Sequence, residues 1–387
     1  MINKQTRDFI RQHAADDVRK LALQGTKDAD IDLPMALQQI AGQQTASKKL
    51  PSWAAVDGII YPPHLNMEQC SSEQTARYKA QLAGSGDTYV DLTGGFGVDF
   101  YWMSQAFKHR IYVEQNKQLC TISTENFRTL DLACSIYCCD TTAFITDMPH
   151  ADVIYLDPAR RDEKGRRTYS IEDCTPNVLE LLPLLMEKAN KVILKLSPML
   201  DWRKAVDDLQ HVTEVHIVSV DNECKELLLV LEAAKVPLRL VCVNNDQRFE
   251  IMEEHSAVTI PHPPLTTPQY LYEPNASIMK AGCFTALVQH YPIRQISANS
   301  HLFLSSVEID DFPGRRFQIF AISSTSKQSL KETLAGIDRA NITARNFPMS
   351  VEQLRKKLHL KDGGDTYIFA TTEADGTHSL YICRKIG

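Results

Sequence analysis

Tyr89-Val90-Asp91-Leu92-Thr93-Gly94-Gly95-Phe96-Gly97-Val98-Asp99 is the stretch that decides the fold. It ends an apolar strand on an acidic residue and then turns sharply on glycines. A Tyr/Val run bounded by glycine reads as a buried β-strand, and glycines, lacking Cβ, let backbone amides come close to a ligand. The loop completes neither G-x-x-x-x-G-K nor G-x-G-x-x-G, so a nucleotide-type cofactor without phosphates fits it better than NAD or ATP.

From this strand onward, strand and helix alternate, which implies a parallel sheet with crossover helices. Strands are expected at 88–92, 110–114, 135–138, 152–156 and 191–196, followed by a helix near 202–209. Two further apolar runs, Glu214 to Val220 and Glu226 to Glu232, are joined only by Asp221-Asn222-Glu223-Cys224-Lys225, and so short a link favours an antiparallel pair. Five parallel strands and a terminal antiparallel pair make a seven-stranded, Rossmann-like α/β sheet, the strand pattern of the class I methyltransferase fold. Upstream, Phe9, Ile10, Ala14, Val18 and Leu21 recur at helical spacing, Pro34 to Ala46 reads as a second helix, and Met67 to Leu82 reads as one helix with Ser71-Ser72-Glu73 as its cap. Downstream, strands at 237–243 and 247–252 lead to the proline-rich Ile260-Pro261-His262-Pro263-Pro264. Beyond Pro313-Gly314 a small α+β unit is expected, with strand 316–323, helix 328–334, strand 341–345, helix 350–358 and a closing hairpin of 366–372 and 378–384.

In an open α/β sheet the carboxyl ends of the strands form the ligand crevice. Four acids stand at successive strand ends: Asp91 before the glycine loop, Glu114 after the second strand, Asp140 after the third and Asp157 after the fourth. Glu114 is placed to accept hydrogen bonds from two ribose hydroxyls, and Asp140 lies where an adenine amino group would sit. Singly, each acid reads as a solvated loop residue; in this order they read as one site.

Asp91 to Asp99, followed by Asp157-Pro158-Ala159-Arg160-Arg161-Asp162, resembles the S-adenosylmethionine-dependent methyltransferases that carry a C-terminal THUMP-like domain. Met67-Glu68-Gln69-Cys70-Ser71-Ser72-Glu73, Lys195-Leu196-Ser197-Pro198-Met199-Leu200-Asp201, Glu223-Cys224-Lys225-Glu226-Leu227, Tyr272-Glu273-Pro274-Asn275 and Arg345-Asn346-Phe347-Pro348 are similar to that family too, so the resemblance covers nearly the whole chain. It implies an N-terminal helical module (1–66), a methyltransferase domain (67–234), an α+β ferredoxin-like connecting domain (235–312) and a THUMP-like domain (313–387). It further implies S-adenosylmethionine as cofactor, held by Gln69, Ser71, Asp91, Thr93, Gly94, Gly95, Gly97, Glu114, Asp140 and Asp157.

Asp157-Pro158-Ala159-Arg160 occupies the place of the D/N-P-P-[YFW] motif of amino methyltransferases, which makes Asp157, Pro158 and Arg160 the catalytic candidates. Positioning is the main task there, because transfer is a direct displacement on an already activated methyl. Ala159 replaces the second proline and Arg160 replaces the aromatic that stacks on a base. Arg160 instead resembles the D-P-P-R of uridine C5 methyltransferases, but those need a cysteine after the fifth strand to activate a ring carbon. This chain has Ser197-Pro198 there, and the nearest cysteine after the motif, Cys174, reads first as a buried packing thiol. An oxygen or nitrogen acceptor is therefore favoured over carbon, with a nitrogen-type acceptor the reading adopted.

Arg160-Arg161-Asp162-Glu163-Lys164-Gly165-Arg166-Arg167 is either a solvated loop neutralised by its own acids or a phosphate clamp in which Arg160, Arg161, Arg166 and Arg167 bind substrate. Arg315-Arg316, Arg345 and Arg355-Lys356-Lys357 are further candidate phosphate contacts. Lys195, inside an otherwise apolar strand, must pair with a strand-end carboxylate or reach a polar substrate, since an unpaired buried ammonium is costly; Ser197 joins it as a substrate-side candidate. Tyr272-Glu273-Pro274-Asn275 reads as a turn.

The 387 residues, 43% hydrophobic and 23% charged, bound the protein as soluble, globular and of two to three domains. No apolar run approaches the roughly 20 residues of a membrane span, and Met1 to Asp8 lacks the pattern of a secretory signal, so a cytoplasmic location is expected. The ten cysteines form no C-x-x-C pair and the twelve histidines no H-x-E or H-E-x-x-H, so neither a disulfide framework nor a metal is expected. A net charge of −6 argues against non-specific coating of nucleic acid, while local basic patches remain open. A THUMP-like module beside a methyltransferase implies RNA as partner. The expected function is an S-adenosylmethionine-dependent RNA methyltransferase acting on tRNA or rRNA; the alternatives are a protein or small-molecule methyltransferase and a catalytically idle RNA-binding protein.

Overall fold

The computed structural model describes residues 2–160, 171–252 and 268–386. The chain forms two compact units: Met1–Thr213 with Leu228–Val236, and Glu214–Leu227 with Pro237–Gly387.

The first unit begins with helices α1 (Lys4–Gln12), α2 (Val18–Gln24), α3 (Leu33–Lys49), α4 (Pro51–Ala54), α5 (His64–Gln69) and α6 (Glu73–Ala83). The first three starts are written in their caps: Asn3, Asp17 and Asp32 accept backbone N–H groups of the first turns of α1, α2 and α3. The single helix expected over Met67 to Leu82 is in fact two. Ser72 is extended and its Oγ accepts the Thr75 N–H, which starts α6 afresh, while Lys49 Nζ donates to the carbonyls of Met67 and Glu68 at 2.9 and 2.6 Å and closes α5. The break leaves Cys70 and Ser71 on a loop.

The alternation then runs β1 (Gly86–Asp91), α7 (Val98–Met103), β2 (Phe107–Val113), α8 (Lys117–Thr129), β3 (Ser135–Tyr137), α9 (Thr141–Asp147) and β4 (Ala151–Leu156). A two-stranded ribbon, β5 (Ala159–Arg160) with β6 (Cys174–Thr175), precedes α10 (Val178–Lys188), β7 (Ala189–Leu196) and α11 (Trp202–Leu209). The five strands β1, β2, β3, β4 and β7 pair in parallel in the order β3-β2-β1-β4-β7. All their carboxyl ends therefore open on one side. Tyr89, Phe100, Tyr112, Phe127, Tyr155 and Ile193 share one buried cluster behind them, and each such side chain contributes roughly 1.5–3 kcal/mol by burial.

Strands β8 (Val212–Val220) and β9 (Glu223–Glu232) follow. Their link is shorter than expected: only Asp221 and Asn222 remain, both left-handed at φ 50° and 61°, the conformation of a tight hairpin turn and one that Asp and Asn tolerate. The Glu232 N–H donates to the His211 carbonyl at 3.1 Å, in antiparallel register.

In the second unit, β10 (Arg239–Asn244) runs parallel to β8 and β11 (Gln247–Met252) antiparallel to β10. These two strands bring the larger sheet to nine rather than seven. A separate seven-stranded sheet comprises β12 (Tyr270–Pro274), β13 (Arg294–Gln295), β14 (Phe303–Ser305), β15 (Gly314–Ser324), β16 (Asn341–Arg345), β17 (Thr366–Thr372) and β18 (His378–Ile386), in the order β13-β14-β12-β15-β18-β17-β16. Helices α12 (Ala276–Ala281), α13 (Phe284–His290), α14 (Lys327–Thr333) and α15 (Val351–Leu358) complete it. Tyr272 to Pro274 is strand, not the turn expected: Tyr272 is fully buried, and Asn275 caps α12 through Oδ1. Among the described residues no helix is long and apolar enough to cross a membrane.

Candidate functional site

The open strand ends of the first unit frame a cavity of about 320 Å³, within the range of small-ligand sites. Its wall contains Gln69, Ser71, Asp91, Thr93, Gly94, Gly95, Gly97, Glu114, Asp140, Asp157 and Lys195. All ten residues expected to hold a cofactor are thus brought together.

The glycine loop is shaped from behind. A Cβ on Gly94 would lie 2.1 Å from the Tyr112 ring, and one on Gly97, whose φ is +83°, would lie 2.5 Å from Phe127. Tyr112 Oη donates to the Gly95 carbonyl at 2.6 Å. The loop therefore hugs two buried aromatic rings, and only glycine permits so close an approach.

The acids differ in their state. Asp91 is buried: its Oδ1 accepts the Thr93 N–H at 2.9 Å, while Oδ2 has no partner. Burial raises its carboxyl well above the ordinary range, and the Thr93 N–H only partly offsets this. Glu114 accepts the Gly95 N–H through Oε2 at 2.8 Å and the Asn116 N–H through Oε1 at 2.7 Å; each oxygen keeps a lone pair for a hydroxyl. Asp140 lies beyond β3, not on it, and caps α9 through Oδ1, which accepts from Thr142 and Ala143; the Thr142 hydroxyl bond, first among these contacts, lowers its carboxyl pKa.

Asp157 donates its N–H to Thr93 Oγ1 at 2.6 Å and pairs through Oδ2 with Lys195 Nζ. Enclosure in the cleft raises the Asp157 carboxyl, with the Lys195 ammonium opposing. Of the two roles open to Lys195 in the sequence, the ion pair with a strand-end carboxylate is present.

Beneath the wall lies a network that the sequence reading missed. Asp99 Oδ2 accepts from Ser71 Oγ and from Tyr155 Oη, both at 2.8 Å; Lys79 Nζ, on a side chain of 0% exposure, donates to Ser71 Oγ at 2.7 Å and stands 3.0 Å from Asp99 Oδ1. Burial alone would raise the Asp99 carboxyl; Lys79, and then Lys195, draw it below the ordinary range. The signal existed: Ala76, Lys79 and Ala83 stand on one face of α6 and are all buried, and a lysine in such a stripe demands an acid. Ser71 thus braces the wall from within.

Other expected residues stand elsewhere. Pro158 and Ser197 do not line the cavity; Ser197 Oγ accepts the Met199 N–H at 3.1 Å in a turn. Arg160 contributes its backbone to the ribbon with Cys174, which is buried. Arg161, Arg166 and Arg167 lie outside the described residues. In the second unit, the arginines expected to contact phosphate stand beside acids: Arg315 and Arg345 pair with buried Glu273, Arg316 with Asp310, and Arg355 with Asp362. Lys356 and Lys357 form no ion pair among the described residues. No cluster of three or more metal-ligating side chains occurs among the described residues.

Two family models match the second unit: a ferredoxin-like domain over residues 270–313 and a THUMP domain-like family over 314–385. The chain is similar over its whole length to a crystal structure from Porphyromonas gingivalis W83, provisionally named a methyltransferase, with 29% identity, 100% of both chains covered and a TM-score of 0.87. A class I S-adenosylmethionine-dependent methyltransferase of Listeria monocytogenes, also provisionally named, shares 11% identity over 62% of this chain and 93% of its own, with a TM-score of only 0.39. No curated protein matches the sequence. The chain has a class I methyltransferase fold and a C-terminal THUMP-like domain.

Proposed function

We propose that this protein is an S-adenosylmethionine-dependent RNA methyltransferase. The observation that carries the cofactor is the buried, unpartnered Oδ2 of Asp91 in the wall of the cleft. A buried carboxylate oxygen without a partner is costly unless a ligand supplies a donor, and the amino-acid end of S-adenosylmethionine brings an ammonium. Glu114 has lone pairs for the ribose, and the Asp140 carboxylate stands one strand further along for the adenine amino group.

When bound there, the cofactor supplies a methyl group already activated on a sulfonium. The chain's own share is to hold and orient. Gly94 and Gly97 let the loop backbone seat against Tyr112 and Phe127, and the Lys79–Asp99–Ser71 network keeps the wall of the cleft in place. Asp157 and Lys195 stand where an acceptor must approach. RNA as the substrate rests on the THUMP-like domain and on the full-length similarity to a chain named a methyltransferase.

Calorimetry tests the cofactor: Asp91→Ala and Glu114→Ala are expected to weaken S-adenosylmethionine binding at least 10-fold each, roughly the loss of one buried or charge-assisted hydrogen bond. Unchanged affinity in both variants overturns the assignment. For the substrate, tritium transfer from labelled cofactor into fractionated extract of a deletion strain is expected to label RNA; label confined to protein or metabolites rejects that part.

A further inference from the structure

We infer that the acceptor is a hydroxyl oxygen, which in an RNA substrate is the ribose 2′-hydroxyl. The inference rests on the methyltransferase and RNA readings above and puts an oxygen acceptor in place of the nitrogen-type acceptor that the sequence favoured.

The observation is the company that Asp157 keeps. Its Oδ2 is taken by the Lys195 ammonium, and both side chains line the cleft, with side-chain exposures of 37% and 12%. An amine acceptor gains positive charge as it is methylated. A neighbouring ammonium repels the charge that develops there. A hydroxyl acceptor has the opposite need. Its oxygen is a poor nucleophile until the proton leaves, and a cation beside the oxygen stabilises the negative charge that grows on it.

The rest of the wall points the same way. Beside Asp157 stand Ala159, Thr175, Pro176 and Lys195. The wall's two aromatic side chains, Phe96 and Tyr155, are only 4% and 1% exposed, so among the described residues the wall presents no open aromatic face of the kind that commonly holds single-stranded bases. Ribose recognition needs no ring, and the 2′-hydroxyl is the group that marks RNA.

The step balances without a further reagent. A bond forms between the acceptor oxygen and the methyl carbon; the methyl–sulfur bond breaks, and its electron pair stays on sulfur, which becomes a neutral thioether. The hydroxyl proton passes to Asp157 Oδ1 and then to solvent. Lys195 keeps its charge throughout, holding Asp157 in place and facing the oxygen.

Two measurements test this. RNA from a deletion strain, labelled by the purified protein with tritiated cofactor, is hydrolysed in alkali. A 2′-O-methyl group blocks cleavage at its own nucleotide, so label is expected in alkali-resistant dinucleotides. Label in mononucleotides overturns the hydroxyl assignment and leaves the RNA reading standing; RNA that takes no label overturns the RNA reading and this inference with it. Secondly, Lys195→Met is expected to lower kcat by roughly 100-fold, with S-adenosylmethionine affinity by calorimetry unchanged as evidence of an intact fold. For an amine acceptor the same variant should hold or raise the rate, an outcome that refutes the inference. Lys195→Arg, which keeps the cation, is expected to retain more activity than Lys195→Met.

Discussion

Lys79→Met puts the most direct strain on the logic of the cleft. The Lys79 side chain is fully buried and its ammonium lies 3.0 Å from Asp99 Oδ1, on a side chain only 11% exposed. The methionine stem replaces the lysine stem at nearly equal volume, so packing changes little, whereas Asp99 keeps its charge and loses its counter-ion. Two charges at this distance attract by about 5 kcal/mol at an effective dielectric constant near 20, and stripping one partner from a buried pair costs about 3–5 kcal/mol. The assay is built into the sequence, because all three tryptophans, Trp53, Trp102 and Trp202, belong to the first unit. Urea unfolding followed by tryptophan fluorescence therefore reports that unit alone. With a slope of about 2 kcal/mol/M, the midpoint is expected to fall by about 2 M. Lys79→Met with Asp99→Asn should recover most of that loss, since asparagine can still accept from Ser71 and Tyr155 and no charge is left stranded. A midpoint shift below about 0.5 M in the single variant, or a double variant as unstable as the sum of its parts, refutes the reasoning.

Gly94→Ala forces a Cβ to within 2.1 Å of the buried Tyr112 ring; an overpacking loss of about 1–3 kcal/mol is expected in the same urea assay, and wild-type stability would show that the loop has room it does not display. Burial raises the Asp91 carboxyl above its unfolded value of 3.8, so its contribution to stability is full below that pH and is lost as pH rises through the folded value. Asp91→Asn is accordingly expected to stabilise the cofactor-free first unit at pH 7, on the order of 1 kcal/mol, while cofactor binding falls; parallel stability curves for the two proteins from pH 3 to 8 would contradict this. Glu214 behaves with the opposite sign. The His216 ring bond, aided by Arg239 at 2.7 Å, lowers its pKa to about 2 from 4.5, so its contribution is present above pH 4.5 and fades as pH drops toward 2. Glu214→Gln should weaken amide protection across β10 at pH 7 and leave it unchanged at pH 2; an equal deficit at both would point to packing instead.

Much of the fold was legible because its signals are local. Apolar runs ended four of the five parallel strands beside an acid, and those ends are positions on which the cleft is built. The strand count fell short because 237–243 and 247–252 carry no sign of which neighbour they pair with; β10 joins β8 through contacts that no local pattern specifies. The helix over Met67 to Leu82 was read as one because periodicity runs across the break, while the break itself depends on Ser72 capping one end and Lys49, distant in sequence, closing the other. The four strand-end acids were found because they recur in order. The Lys79–Asp99–Ser71–Tyr155 network was not, since its members come from two helices, a loop and a strand and declare themselves only when burial is known. The ion pairs of the second-unit arginines were illegible for the same reason: a sequence shows the cation but not the Glu273, Asp310 or Asp362 beside it.

The first unit is not one continuous length of chain: Glu214–Leu227 leaves it, and Leu228–Val236 returns. The returning strand lies next to β7 in the sheet order, and Val230 enters the same buried cluster as Ile193 and Tyr155. During synthesis, then, the glycine loop and its acids emerge early, but β7, in the sheet that supports them, keeps an unpaired edge until β9 has been made. An unpaired edge is a template for wrong partners. A polypeptide cut at Thr213 would carry every residue of the cleft wall and still lack the strand that closes its scaffold, so the nascent chain is most in need of chaperone cover while those last two dozen residues are being added.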